Sequence, residues 1–153
     1  MGKQQHVLMN LLTSSVAFRP QKENAVRFTE KYTLEQRASQ SEKIRTKYPD
    51  HVPVILEPAP EKRSTIRAVD PSDGGLKTKY LVPGTQSVAK FMATVRKQVK
   101  LSKEEALYLM TLDNTIPAST TIMSQVDKNH QSEDGFLYLV FTGENTFGFF
   151  LEK

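Results

Sequence analysis

Apolar residues at Val88, Phe91, Met92, Val95 and Val99 recur at steps of three and four, with Lys, Arg, Gln and Thr between them. That period places the apolar set on one face of a helix and the polar set on the other. Ser87 can cap the first turn, so the spacing predicts a helix over 88–99. A weaker stripe of Leu34, Ala38, Ser41, Ile44 and Tyr48 has the same period, with Thr33 to cap its start and Pro49 to end it. "HVPVILEP" is short, β-branched and bounded by prolines, which predicts a strand near a sheet edge. "KYLVP" predicts a second strand, pairing with the first as a wide hairpin, and the charged, proline-rich stretch Glu57–Thr78 between them predicts an exposed loop. "SKEE" at Ser102–Glu105 is a capping box for one helical turn, "ALYLMTL" predicts a third strand and "DNTIP" a turn. "TTIMSQV" predicts a short helix, and "DGFLYLVFTG" the last strand.

The expected order is helix, strand, strand, helix, strand, short helix, strand. No glycine-rich phosphate loop follows a strand, and one long helix joins two strand pairs. The economical packing is one mixed sheet wrapped around that helix. The predicted fold class is therefore α+β: a ubiquitin-like β-grasp with a four-stranded mixed sheet, a central helix and an N-terminal helical extension. Residues 1–27 carry a short apolar run, Val7–Leu12, broken by Asn10, and no acidic residue before Glu23; they are expected to be a flexible arm. A signal peptide wants a longer apolar core, and a myristoylation motif wants Ser or Thr where His6 stands. The chain is thus expected to divide into the arm 1–27, a domain over 28–148 and a tail 149–153.

Composition narrows the chemistry. The 153 residues carry a formal charge of +4, and the pI is about 9.3. The basic residues are scattered, and no stacking aromatics interleave with "RKQVK", so no nucleic-acid partner is expected. With no cysteine there is no disulfide, thiolate metal site or thiol nucleophile. His6, His51 and His130 lie too far apart to form a ligand set and are expected to be solvated, so neither a metal nor a cofactor is expected. Serine, histidine and aspartate are present, but no nucleophile elbow or carboxylate pair presents them, and no catalytic residue is assigned.

The ending "GENTFGFFLEK" raises a separate question, because fresh apolar residues follow Gly148. Either the tail folds back as structure or it is cut away. The words "EKIRTKYPDHVPVI", "KYLVP", "VAKFMATVRK", "NTIP", "DGFLY" and "GENTFG", in this order, resemble the ubiquitin-like autophagy modifiers. That family includes autophagy-related protein eight, light-chain-three and the GABA-receptor-associated proteins, and the resemblance spans about Phe28 to Gly148. It implies that a processing cysteine protease cuts the Gly148–Phe149 bond and removes "FFLEK". Activating and conjugating enzymes would then carry the new carboxylate, as an adenylate and thioesters, to the amino group of phosphatidylethanolamine. The implied locations are the cytoplasm and, once lipidated, the autophagosomal membrane.

The resemblance also implies docking of receptors and adaptors through aromatic-x-x-aliphatic peptides added to a sheet edge, for which Val52–Glu57 and "KYLVP" are the expected strands. By motif position the aromatic pocket would be Ile44, Pro53, Ile55, Lys79, Leu81 and Phe136. The aliphatic pocket would be Tyr80, Val82, Pro83, Phe91 and Thr94, with His51 and Arg96 as flanking charge contacts. Several positions depart from the family's pattern: His51 for Arg or Lys, Gln40 for an acid, Gln98 for Arg and Asp127 for Tyr. Gln86 and Thr94 make the aliphatic pocket more polar than usual, and the arm and the loop are longer. The alternative function is a grasp-fold peptide-binding module that is never processed or lipidated.

Overall fold

The computed structural model describes residues 27–59, 77–99 and 106–143. Its elements are α1 (Phe28–Lys31), α2 (Leu34–Lys47), β1 (His51–Pro58), β2 (Lys79–Pro83), α3 (Val88–Val99), β3 (Tyr108–Thr111), α4 (Met123–His130) and β4 (Leu137–Thr142). The sheet is four-stranded, in the order β2-β1-β4-β3. β1 runs antiparallel to β2 and parallel to β4, and β3 runs antiparallel to β4. This is the expected β-grasp, with the hairpin of β1 and β2 as anticipated.

β1 is an interior strand, not one near an edge as its prolines suggested. Leu56 donates its N–H to the Thr78 carbonyl at 2.8 Å. Residues 52, 54 and 56 therefore turn their backbone groups towards β2, and the residues between them turn the other way. Pro53 thus points its nitrogen towards β4, where pairing begins only at Val54↔Leu137. Pro58 points its nitrogen towards the β2 side, past the last pair, Ile55↔Lys79. Neither proline removes a ladder bond, so the usual objection to proline in a central strand does not apply. Glu57, at the join of the predicted strand and loop, belongs to this strand.

Strand alternation gives β1 two interiors. Val52, Val54 and Leu56 join the main core with Leu137, Leu139, Phe141 and the α3 face. On α3 the predicted stripe is realised: Val88, Phe91, Val95 and Val99 are buried and Met92 half-buried. Ser87 Oγ accepts the Lys90 N–H at 3.2 Å at its start. On the other face, Ile55 meets Phe28, Phe136 and Tyr138, with Tyr32 and Ile44 packed against them. The Phe28 ring stands 5.0 Å from Tyr32 and 5.3 Å from Phe136. α1 is tied down at its start: Glu57 accepts the Phe28 N–H at 2.9 Å, and Arg27 NH1 donates to the Pro58 carbonyl at 3.0 Å.

α2 forms where expected, with a capping box: Thr33 accepts from Gln36 N, and the Gln36 side chain accepts from Thr33 N. Only the middle of its predicted stripe docks: Ser41 is buried, and Ala38 and Ile44 are half-buried. Leu34 and Tyr48 are exposed at 44% and 39%, whereas Ser41 is buried at 3%. The inward seam is Arg37, Ser41 and Arg45, and its partners lie before β4. Arg37 Nε donates to Asp134 Oδ2 at 2.8 Å, and Ser41 Oγ donates to the Asp134 carbonyl. Asp134, 2% exposed, also accepts the Phe136 N–H at 2.9 Å and the Tyr138 hydroxyl. The next residue, Gly135, has φ +88°, where a Cβ would be strained.

β3 ends in the predicted turn, where Asn114 takes φ +63°; asparagine tolerates that left-handed region better than most residues. α4 starts later than the 120–126 expectation and runs further, to His130. His130 is not solvated: it is half-buried, with Nδ1 3.3 Å from Asp113 Oδ1. Residues 1–26, most of the long loop, the capping box at Ser102–Glu105 and the tail from 144 onward lie outside the described residues.

Phe28 fills the outer cluster at 5% exposure. Phe28→Ala is expected to lower unfolding free energy by about 3 kcal/mol, the lower end of the range for buried Phe→Ala changes. Urea denaturation checks this. The Tyr138 phenol is held well above the ordinary tyrosine range, first by burial and then by its bond to the Asp134 carboxylate. Its folded state keeps the proton after the unfolded chain releases it, near pH 10. The stabilisation is therefore complete below about pH 10 and is lost as pH rises above it, at up to about 1.4 kcal/mol per unit. Tyr138→Phe should flatten that alkaline slope in denaturation curves run at stepped pH.

Candidate functional site

Among the described residues β2 is an edge strand, and its pairing determines what that edge presents. Residues 78, 80 and 82 turn their backbone groups towards β1, following the Leu56–Thr78 bond and the register Val54↔Tyr80 and Val52↔Val82. By alternation, Lys79 and Leu81 direct both N–H and C=O away from β1, whereas the Pro83 carbonyl accepts the Gln86 N–H at 3.0 Å in the turn that follows. An extended segment laid alongside would meet donors and acceptors in a strand pattern.

The side chains of β2 alternate between the two faces of the sheet. Tyr80 and Val82 are buried at 8% and 3% in the main core, and the Tyr80 ring meets Phe91 edge-on at 5.3 Å. Phe91 itself is 1% exposed, so it acts as core whatever else it does. Thr94, one turn further along α3, is exposed, and its hydroxyl lies 3.4 Å from the Lys90 carbonyl. Pro83 is exposed and alternates to the opposite face from Tyr80 and Val82. The Tyr80 hydroxyl is buried with no hydrogen-bond partner, and burial raises its pKa.

Lys79 and Leu81 lie on the other face, opposite Ile55 and Pro53. Ile44, Ile55 and Phe136 share the outer cluster there. Pro53 is buried, Phe136 is 1% exposed, and Leu81 is 39% exposed. The structure thus brings Ile44, Pro53, Ile55, Lys79, Leu81 and Phe136 to one face of the β2–β1 ribbon. It puts Tyr80, Val82, Phe91 and Thr94 on the other.

The charges around this edge are ordered by aromatic rings. Lys79 Nζ donates to Gln40 Oε1 at 2.9 Å and stands 5.2 Å and 5.6 Å from the Phe28 and Tyr32 ring centres. Its polar partner is a neutral amide; among the described residues no carboxylate forms an ion pair with it. Lys77 Nζ lies over the Tyr80 ring at 5.1 Å. His51, at the start of β1, is half-buried, with its ring 5.9 Å from Tyr48. Arg96 is half-buried on α3. Gly148 and Phe149 lie outside the described residues.

Motif reading missed the residues that brace this edge. Phe28, Tyr32 and Tyr138 build the outer cluster with Ile44, Ile55 and Phe136, and Arg37, Arg45, Asp127 and Asp134 hold α2 over it. The spacing of Arg37, Ser41 and Arg45, four apart, was the available signal for a polar helix face. Among the described residues no group of three His, Cys, Asp or Glu side chains could hold a metal ion.

The family model for the autophagy protein Atg8, ubiquitin-like, matches residues 36–148. The chain is 42% identical over 121 residues to Autophagy-related protein 8 of Schizosaccharomyces pombe, covering 79% of this chain and 93% of that one. It is 42% identical over 123 residues to Autophagy-related protein 8d of Arabidopsis thaliana, covering 80% and 95% of the two chains. The crystal structure of Trypanosoma brucei ATG8 superposes with a TM-score of 0.68 at 34% identity, covering 82% of this chain and all of that one. A match over most of the domain, relatives of this identity and the same β-grasp with its helical extension agree: the chain belongs to the ubiquitin-like Atg8 family of autophagy proteins.

Proposed function

We propose that this chain is a ubiquitin-like modifier of autophagy, joined through Gly148 to phosphatidylethanolamine and serving there as a dock for short peptides, with no catalysis of its own. The observation that carries the docking half is the open β2 edge with its two different flanks. A peptide added as a strand points successive side chains to opposite faces. An aromatic residue and an aliphatic residue three positions later therefore face opposite ways. That spacing suits an edge with Leu81, Pro53 and Lys79 on one face and Val82, Phe91 and Thr94 on the other.

The conjugation half rests on family membership and on the residues "TFG" before the terminal "FFLEK". Hydrolysis of the Gly148–Phe149 amide would leave a carboxylate on a residue with no Cβ. Such a terminus fits narrow clefts and leaves its carbonyl open to a nucleophile. Activation as an adenylate, transfer to enzyme cysteines as thioesters and attack by the lipid amine would end in a stable amide. No described helix is long and apolar enough to cross a membrane. A two-chain lipid would supply the attachment, at about 0.8 kcal/mol per buried methylene. The protein would then work in the cytoplasm and on the autophagosomal membrane.

Energetics favour a moderate affinity. An aromatic anchor buries about 150–250 Å², a gross gain of about 4–6 kcal/mol at about 25 cal/mol per Å². Strand pairing and the aliphatic anchor add to this, and ordering the peptide subtracts several kcal/mol. A dissociation constant near 1 μM, about −8 kcal/mol, is the expected balance.

Mass spectrometry of the cellular protein tests the conjugation reading: a species ending in Gly148 with a lipid mass supports it, and an intact "FFLEK" end favours an unprocessed module. Gly148→Ala should abolish membrane attachment and leave the unfolding midpoint unchanged; a variant that still pellets with membranes as a lipid form would be inconsistent with attachment at this residue. For docking, Leu81→Ala should weaken an aromatic-x-x-aliphatic peptide by about 1–3 kcal/mol in calorimetry. His51→Arg should strengthen peptides with acidic residues before the aromatic, more so at low salt.

A further inference from the structure

Arg45 is engaged twice, on two different elements. Its Nε and NH2 donate to the Gly135 carbonyl at 2.9 and 2.7 Å. Its NH1 and NH2 donate to Asp127 Oδ2 and Oδ1, on α4, at 2.9 and 2.8 Å. The two side chains are only 29% and 13% exposed. A guanidinium is a rigid planar fork, so a bidentate carboxylate on one side fixes where the remaining N–H groups point. Here they point at the carbonyl of the residue immediately before Phe136.

The same contact fixes the helix. Ile44 precedes Arg45 on α2 and packs against the cluster of Phe28, Ile55, Phe136 and Tyr138. Gly135 has a positive φ, and Ser41 leaves no room for a Cβ there, so neighbours determine how this short turn is oriented. Arg37 and Ser41 hold Asp134, one residue earlier, and Gln131, which caps the end of α4, donates its Nε2 to the Gly135 carbonyl at 3.3 Å; among the described residues the Arg45 clamp is the contact that joins α2, the turn and α4 at once.

We propose that Asp127 is a positioning residue for the aromatic-binding face: through Arg45 it sets the Gly135–Phe136 turn and the placement of Ile44, and so tunes the fit of the ligand's aromatic side chain without touching it. This rests on the docking reading above. A neutral amide at 127 would keep one acceptor but could not receive both guanidinium nitrogens, so the clamp would lose its direction while the side-chain volume stayed the same.

The test is calorimetric titration of wild type, Asp127→Asn and Arg45→Lys with three synthetic peptides. One carries tryptophan and, three residues on, leucine; the second has alanine for that leucine; the third has leucine for the tryptophan. Both variants should bind the first peptide about three- to tenfold more weakly than wild type, the scale of a coupling term between neighbours. The second peptide should show the same ratio, and for the third the ratio should fall towards one. A ratio equal for all three peptides would mean general loosening of the domain and would overturn the proposal, as would unchanged affinity of both variants for the first. If wild type bound none of the peptides, the docking reading itself would fail and this inference with it; normal wild-type binding with unaffected variants would remove the inference alone.

Discussion

Asp134 is almost wholly withdrawn from solvent, and its carboxylate is held by the Arg37 guanidinium, the Tyr138 hydroxyl and the Phe136 N–H. A carboxylate buried without such partners would be strongly destabilising, so the partners are not interchangeable ornaments. Each comes from a different place: α2, β4 and the turn leading into β4. Holding them together fixes α2 on the sheet by direction as well as by proximity. An apolar stripe could slide along its partner at little cost, whereas a fork bonded to a carboxylate has one register.

From that anchor follows the outer layer of the molecule. With α2 in place, Ile44 closes over Ile55 and Phe136, and α1 brings Phe28 into the remaining space. Glu57 and Arg27 then seat α1 against the end of β1. The sheet is thereby covered on both faces, by α3 on one side and by α1 and α2 on the other. β1 and β4 can be interior strands with near-continuous apolar runs because neither face meets water.

Among the described residues nothing pairs with the outer side of β2, and the chain turns away after it. After Pro83 the chain turns sharply at Gly84, whose N–H bonds to the Asp50 carbonyl at 2.9 Å, and enters α3. A Cβ at Gly84 would stand 3.1 Å from the Ser124 Cβ and 3.2 Å from the Asp50 oxygen, so α4 and the turn leading into β1 crowd this position. The strand is short, ends in proline and carries Lys79 across its outer face, features that discourage indiscriminate pairing.

Much of this was legible in the chain. The α3 stripe, the Thr33 cap and the β-branched runs depend on residues close in sequence, so the positions of α2, α3 and the strands, the β1–β2 hairpin and the grasp class followed from local pattern. The residues quoted for the aromatic face, Ile44, Pro53, Ile55, Lys79, Leu81 and Phe136, do converge on one face. The place of β1 did not follow, because proline forbids a central strand only where its missing N–H is needed. That depends on which neighbour each residue faces.

The same holds for α2 and the brace behind the edge. Sequence by itself determined that α2 would be helical, since capping and period act within one turn. The predicted stripe foresaw Ser41 and Ile44 on the inner face, but it could not determine that Arg37 and Arg45 would turn inward beside them while Leu34 and Tyr48 stayed exposed. A basic side chain is buried only when an acid awaits it, and Asp127 and Asp134 lie more than eighty residues away in the chain. Local patterning fixed the elements and the middle of the inner face of α2; only the tertiary fold, by pairing charges distant in sequence, decided that Arg37 and Arg45 turn inward with it.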